Sequence, residues 1–158
     1  IKEDSFFKKT NLENLIEEIL ENFKETSSKK IIIITSDDKN KLSFKRTPEL
    51  VYGLRNFIGN AVKFSKSLVE IKIISNEKLV KILINDDGPG FPEDVIDILG
   101  EPYIKSRSFE VRSNSGTGLG TFLGKTLLER QLANLSFKKD KDLGGASVVI
   151  SWSPSNIL

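Results

Sequence analysis

The sequence of 158 residues contains no cysteine, no histidine and no methionine. Without cysteine there is no disulfide framework, thiolate metal site or thiol nucleophile, and the composition fits a reducing compartment. Without histidine the chain lacks the commonest zinc ligand, the usual general base near neutral pH and any histidine phosphoacceptor. The missing methionine and the unremarkable start Ile1-Lys2-Glu3-Asp4 lead us to expect a fragment whose start codon lies upstream. No apolar run approaches the roughly 18 residues that cross a bilayer, so the fragment is expected to be soluble. Charge of one sign is also missing: 24 Lys and Arg face 22 Asp and Glu, a net of +2. That balance is too small to attract nucleic acid or an anionic membrane, so any phosphate recognition has to be local.

What is present is ordinary for one globular domain over residues 1–158, with 38% hydrophobic and 29% charged residues. Segment 1–24 holds an N-terminal helix, which the spacing of Leu12, Leu15, Ile16, Ile19, Leu20 and Phe23 places from Asn11, a candidate N-cap, to Lys24. The β-branched run Ile31 to Thr35 reads as a buried strand, paired with Lys41 to Phe44 across the turn Asp37 to Asn40. A second helix is expected from Pro48 to Phe64. Val69, Ile71 and Ile73 alternate, as do Val80, Ile82 and Ile84, giving a hairpin around Asn76-Glu77. Pro92 to Leu99 reads as a short helix stopped by Gly100, and Glu101 to Ser115 as a polar, mobile segment. A helix from Leu119 to Leu132, with Leu119, Phe122, Leu123 and Leu127 inward, precedes a last hairpin of Leu135 to Lys138 and Ala146 to Trp152. The interleaving predicts an α+β fold: a two-layer sandwich in which about three helices cover a mixed, mainly antiparallel sheet of about five strands.

Three blocks carry chemistry. On the second helix, 100° per residue separates an apolar stripe, Leu54, Phe57, Ile58, Ala61 and Phe64, from a polar one, Asn56, Asn60 and Lys63. A solvated face accounts for the polar stripe; so does a Mg²⁺-phosphate cluster, which takes neutral oxygen ligands beside an ammonium. The turn Asp86-Asp87-Gly88-Pro89-Gly90 is common turn chemistry. Equally, a carboxylate fixed at a strand end can accept from an exocyclic amine, with Gly88 and Gly90 letting backbone approach a ring. Gly116-Thr117-Gly118-Leu119-Gly120 is either a flexible helix entry or a phosphate site made of helix N-terminal N–H groups. It is no Walker loop, because Gly124-Lys125-Thr126 lies inside the expected helix.

In this order the blocks resemble the ATP-binding domain of sensor histidine kinases, in the superfamily shared with DNA gyrase, mismatch-repair and heat-shock chaperone ATPases. The resemblance spans about Pro48 to Trp152: Asn56 to Phe64 is similar to the N box, Asp86 to Gly90 to the first glycine box, Gly116 to Gly120 to the second. Gly144-Gly145-Ala146-Ser147-Val148 is a weaker last glycine segment. It implies a Bergerat fold with an ATP lid at 101–117, ATP and Mg²⁺ as ligands, Asn60 on the metal, and Asn56 and Lys63 on phosphates. Asp86 is then on the adenine amine and the Gly116 to Gly120 backbone on phosphate oxygens. Phe64 packs near the nucleotide or in the core, and Lys105 or Arg107 reaches the γ-phosphate or remains a solvated loop charge. Hydrolysing members carry glutamate where this chain has Asn56, which cannot act as the base for water. The resemblance thus implies a phosphoryl donor whose partners are a histidine-bearing dimerisation domain and, through the parent protein, a response regulator. A monomeric fragment, a homodimeric parent and a cytoplasmic location are expected. Gly100-Glu101-Pro102-Tyr103 and Lys125 to Arg130 resemble redox-responsive members. The alternatives are a stand-alone serine kinase of the superfamily and a degenerate nucleotide-binding scaffold.

Overall fold

The computed structural model describes residues 9–36, 43–92, 96 and 118–153. After a two-residue strand, β1 (Lys9–Thr10), the first helix, α1 (Leu12–Thr26), starts where Asn11 Oδ1 accepts from the Asn14 N–H at 2.8 Å. That bond satisfies a first-turn donor with no partner inside the helix. Strand β2 (Lys30–Thr35) and the short β3 (Phe44–Lys45) precede the long helix α2 (Pro48–Phe64). Thr47 caps α2 and Pro48 opens it, where its missing N–H costs nothing. At the other end the Lys29 ammonium donates to the carbonyls of Val62 and Lys63, at 2.5 and 3.0 Å, where the helix dipole is negative.

The hairpin β4 (Leu68–Ser75) and β5 (Val80–Asp86) follows, then helix α3 (Gly118–Arg130) and the hairpin β6 (Asn134–Lys139) and β7 (Ala146–Trp152). The main sheet runs β2-β4-β5-β7-β6, with β2 parallel to β4 and the other ladders antiparallel. Period-2 alternation turns Val69, Ile71, Ile73, Val80, Ile82, Ile84, Val148, Ile150 and Trp152 to one face, buried together with Leu15, Ile19, Leu54 and Ile58 of the helices. The expected α+β two-layer sandwich, with three long helices over five strands, is therefore the observed architecture. Among the described residues no helix is long and apolar enough to cross a membrane.

Three local expectations are corrected. The described part of the segment expected to pair with β2, Ser43 and Phe44, does not do so: β2 runs parallel to β4 from Lys30↔Leu68 to Thr35↔Ile73, while β3 pairs antiparallel with β1, and the turn Asp37 to Asn40 with Lys41 and Leu42 lies outside the described residues. Pairing with β4 puts Ile31 and Ile33 beside the apolar face, and α2 supplies the crossover that a parallel pair requires. Nor is β2 fully buried. It is the sheet edge, with Ile34 45% exposed. The third correction concerns α3: of the residues expected inward, Phe122 packs partly buried against the core, Leu127 is partly buried and the Leu119 side chain lies outside the described ones, but Leu123 is 50% exposed, and the buried residues are Thr121, Gly124, Lys125 and Leu128. The helix meets α2 across small residues: a Cβ on Gly53 would lie 2.6 Å from Leu128 Cγ. A contact face made of glycine and threonine is invisible to hydrophobic periodicity.

Of the expected helix Pro92 to Leu99, the Ile96 N–H donates to the Pro92 carbonyl at 3.1 Å, a helical i→i−4 bond; its other residues lie outside the described ones. So does the lid at 101–117, with Lys105, Arg107, Gly116 and Thr117.

Candidate functional site

Asp86 is the last residue of β5 and continues the inward row Val80, Ile82, Ile84, so its carboxylate turns toward the helices and is only 5% exposed. Beside it, Asn85 and Ser147 face each other across β5 and β7, and Ser147 Oγ donates to Asn85 Oδ1 at 2.6 Å. Asp86 Oδ1 accepts from the N–H groups of Gly88, at 2.9 Å, and Ala146, at 3.3 Å. Burial pushes the Asp86 carboxyl above the ordinary carboxylate value, and these two bonds oppose it. Both bonds fall on Oδ1, which leaves the second oxygen as the acceptor for a guest. The cradle tolerates no side chain. A Cβ on Gly145 would overlap the Asp86 carbonyl and carboxylate oxygens, and one on Gly88 the Phe64 carbonyl.

The neighbouring carboxylate does something else. Asp87 Oδ1 accepts from the N–H groups of Lys66, Ser67 and Leu68 at 2.8 to 3.2 Å, and Oδ2 from Ser67 Oγ at 2.8 Å. Burial pushes this carboxyl up, but the hydrogen bonds from Ser67, Leu68 and Lys66 outweigh it and hold the pKa down at about 2. Asp87 thereby ties the glycine turn to the connection between α2 and β4.

Between α2, the sheet and the turn lies a cavity of about 430 Å³. Phe57, Ala61 and Phe64 line it from α2, Ile84 from β5, Ala146 and Val148 from β7, and Pro89 to Pro92 from the turn. Phe91 is held edge-on against Phe137, with centroids 5.9 Å apart at 85°. The polar side chains of this wall are Asn60 and Asp86. An apolar slot with two placed polar groups suits a flat heteroaromatic guest carrying an amine. Asn60 Nδ2 donates to Thr121 Oγ1 of α3 at 3.0 Å, so the first turn of α3 lies beside Asn60.

Of the sequence-derived candidates, Asn60, Phe64, Asp86 and Gly90 meet at the cavity, and Gly88 lies beneath it in the Asp86 cradle. Phe64 is half-buried and lines the cavity. Asn56 and Lys63 are outside the cavity wall. Asn56 lies against α3, where a Cβ on Gly124 would come within 3.2 Å of its own Cβ; Lys63 is exposed, its ammonium 5.2 Å from the Phe64 ring centroid. Gly118, Leu119 and Gly120 form the first turn of α3, described by backbone alone. Sequence reasoning missed Phe57, Ala61, Ile84 and Val148 as site residues because they share their stripes with the core. It also missed Thr121 and Asp87. For Asp87 the signal was the strand alternation, which sends adjacent carboxylates to opposite faces.

Residues 45–156 match the family described as histidine kinase-, DNA gyrase B- and HSP90-like ATPase. The chain is similar to the sensor histidine kinase RegB of Cereibacter sphaeroides, 40% identical over 110 residues that cover 66% of this chain and 24% of that protein. It thus spans about a quarter of the length of the curated relatives it matches. Among solved structures, the catalytic domain of histidine kinase ThkA superposes with a TM-score of 0.72 at 19% identity, covering 95% of this chain and 98% of that one. Full-length ShkA in complex with AMPPNP superposes at 0.70 and 21% identity, covering 93% and 31%. At these identities the likeness shows the fold.

Proposed function

Because the chain belongs to the histidine kinase-, DNA gyrase B- and HSP90-like ATPase family, we propose that it holds Mg²⁺-ATP in this cavity and donates the γ-phosphoryl group to a histidine on a separate dimerisation domain. The observation that carries the reading is Asp86, buried on its glycine cradle in an apolar cavity that it shares with Asn60. The free oxygen of Asp86 accepts from the adenine amine, and Phe57, Ile84 and Val148 cover the base. From there the phosphates extend toward α3, whose first-turn N–H groups at Gly118 to Gly120 bind their oxygens, with Asn56 and the Lys63 ammonium alongside. Lys105 or Arg107, Gly116 and Thr117 complete the phosphate site from the lid.

The donor set fits Mg²⁺ only in company with the nucleotide. Asn60 offers one neutral oxygen, and among the described residues no three acidic, histidine or cysteine side chains gather. Mg²⁺ commonly takes one or two protein oxygens, substrate phosphates and several waters, and when bound here it would neutralise charge between the terminal phosphates. The chain's own work is to bind, orient and exclude water. In the transfer, the lone pair of the incoming imidazole forms the N–P bond as the bond from the γ-phosphorus to the bridging oxygen breaks. The electron pair leaves with ADP, and the imidazole proton goes to solvent. Positioning and charge stabilisation dominate such a step. Asn56 provides no base for water, which supports transfer over hydrolysis.

That the matched relatives are named sensor histidine kinases supports the histidine-directed reading over the serine-kinase and scaffold readings. A homodimeric parent, a response regulator downstream, a cytoplasmic location and a monomeric fragment belong to the same proposal. Mixing the chain with the separately made histidine-bearing dimerisation domain of its parent, a helical hairpin in the family, and γ-labelled ATP tests it. Label on the hairpin histidine is expected; a hairpin that gains none while the chain binds ATP contradicts the donor role.

A further inference from the structure

We propose that Thr121 is a positioning residue for the metal ligand, fixing which end of the Asn60 carboxamide meets Mg²⁺. The inference rests on the reading of Asn60 as that ligand. A carboxamide has a donor end and an acceptor end of nearly equal size, and only the oxygen can ligate a cation. Asn60 is half-buried on α2 at the cavity wall, so water does not decide its orientation alone. Its Nδ2 donates to Thr121 Oγ1 at 3.0 Å, across 61 positions of sequence, and Oδ1 accepts from no described residue.

Thr121 is suited to receive that bond. It is 1% exposed on the face of α3 that meets α2, and a threonine hydroxyl accepts as well as donates. With that bond made at Oγ1, the nitrogen of Asn60 is turned to Thr121 and Oδ1 is left as the end that can ligate. The bond also joins two elements. Thr121 stands three residues after Gly118, in the first turn of the helix that offers its N–H groups to phosphates. Metal capture on α2 and seating of the α3 N-terminus are therefore held in one register.

The test is titration of the whole chain with AMPPNP, with and without Mg²⁺, and with adenosine as a metal-independent ligand. Thr121→Val is expected to reduce the Mg²⁺-dependent gain in AMPPNP affinity roughly tenfold, the lower range for losing a partner of a metal ligand. Adenosine affinity stays unchanged, Thr121→Ser restores the gain, and in the Asn60→Ala background Thr121→Val has no further effect on it. If Thr121→Val keeps the full gain while Asn60→Ala loses it, the positioning role is wrong and the metal assignment stands. If Asn60→Ala keeps the full gain, the metal assignment fails and this inference with it. Equal losses of adenosine and Mg²⁺-AMPPNP affinity in Thr121→Val, or a Thr121→Ser as impaired as Thr121→Val, also overturn the proposal, since either shows packing rather than the hydroxyl at work.

Discussion

Adjacent carboxylates at the end of β5 have opposite titration behaviour because strand alternation gives them opposite surroundings. Asp86 is raised by burial; Asp87 is held at about 2 by hydrogen bonds despite its own burial. A carboxyl lowered from 3.8 stabilises the fold fully above that pH and loses its contribution as pH falls toward 2. Asp87→Asn is therefore expected to be less stable than the native chain at neutral pH by about 2 kcal/mol. The gap closes as acid protonates Asp87, and urea melts from pH 6 down to about pH 2 measure it. A gap independent of pH would contradict the role. For Asp86 the linkage has the other sign: its raised pKa makes stability fall as pH climbs through the window above 3.8, the direction expected of a group kept for binding. Asp86 was legible in the sequence, as the carboxylate at a strand end before Gly88. Thr121 was not, because one hydroxyl in a helix that opens Gly118-Leu119-Gly120 carries no local signature until α2 is packed against it.

Helix α2 positions Asn60 and a third of the residues of the cavity wall, and it is tied at one end to α3 and at the other to Gln131, just past the end of α3. Near its C-terminus the tie is Asn60 to Thr121; at its start Thr47 Oγ1 accepts from the Leu50 N–H at 3.2 Å and donates to Gln131 Oε1 at 3.0 Å. Thr47→Ala removes a cap and the bond to Gln131 together, and is expected to cost about 1–2 kcal/mol in denaturant unfolding with little change in m. No measurable loss would mean that the cap contributes nothing. The bounds of α2 were readable because Pro48 and the stripe Leu54 to Phe64 are local signals. The pairing of β2 was not, since four consecutive isoleucines carry no alternation to set a partner or a register. The inward face of α3 failed for the complementary reason. Periodicity counts Leu123 as core, whereas the close approach of the helices buries Thr121 and Gly124 and leaves Leu123 exposed.

At the scale of the molecule, the sheet presents Asp86 and Ala146 at one end, and α2 and the turn Pro89 to Pro92 close over that end to leave the cavity. The layers followed from pattern, because alternating strands and amphipathic helices must bury their apolar faces against each other. The cavity did not, because the residues that enclose it, Phe57, Ala61 and Val148, are chemically indistinguishable from core. A guest that binds only the folded state stabilises it, so a nucleotide present at 100 times its dissociation constant would raise unfolding free energy by about 2.7 kcal/mol. The most direct measurement is calorimetric titration of AMPPNP, with Mg²⁺, into the native chain and into Asp86→Asn. The account predicts saturable one-to-one binding to the native chain and an affinity about 10- to 100-fold weaker in the variant, the worth of a hydrogen bond to a buried charge. An Asp86→Asn chain that remains folded and binds as tightly as the native one would contradict it.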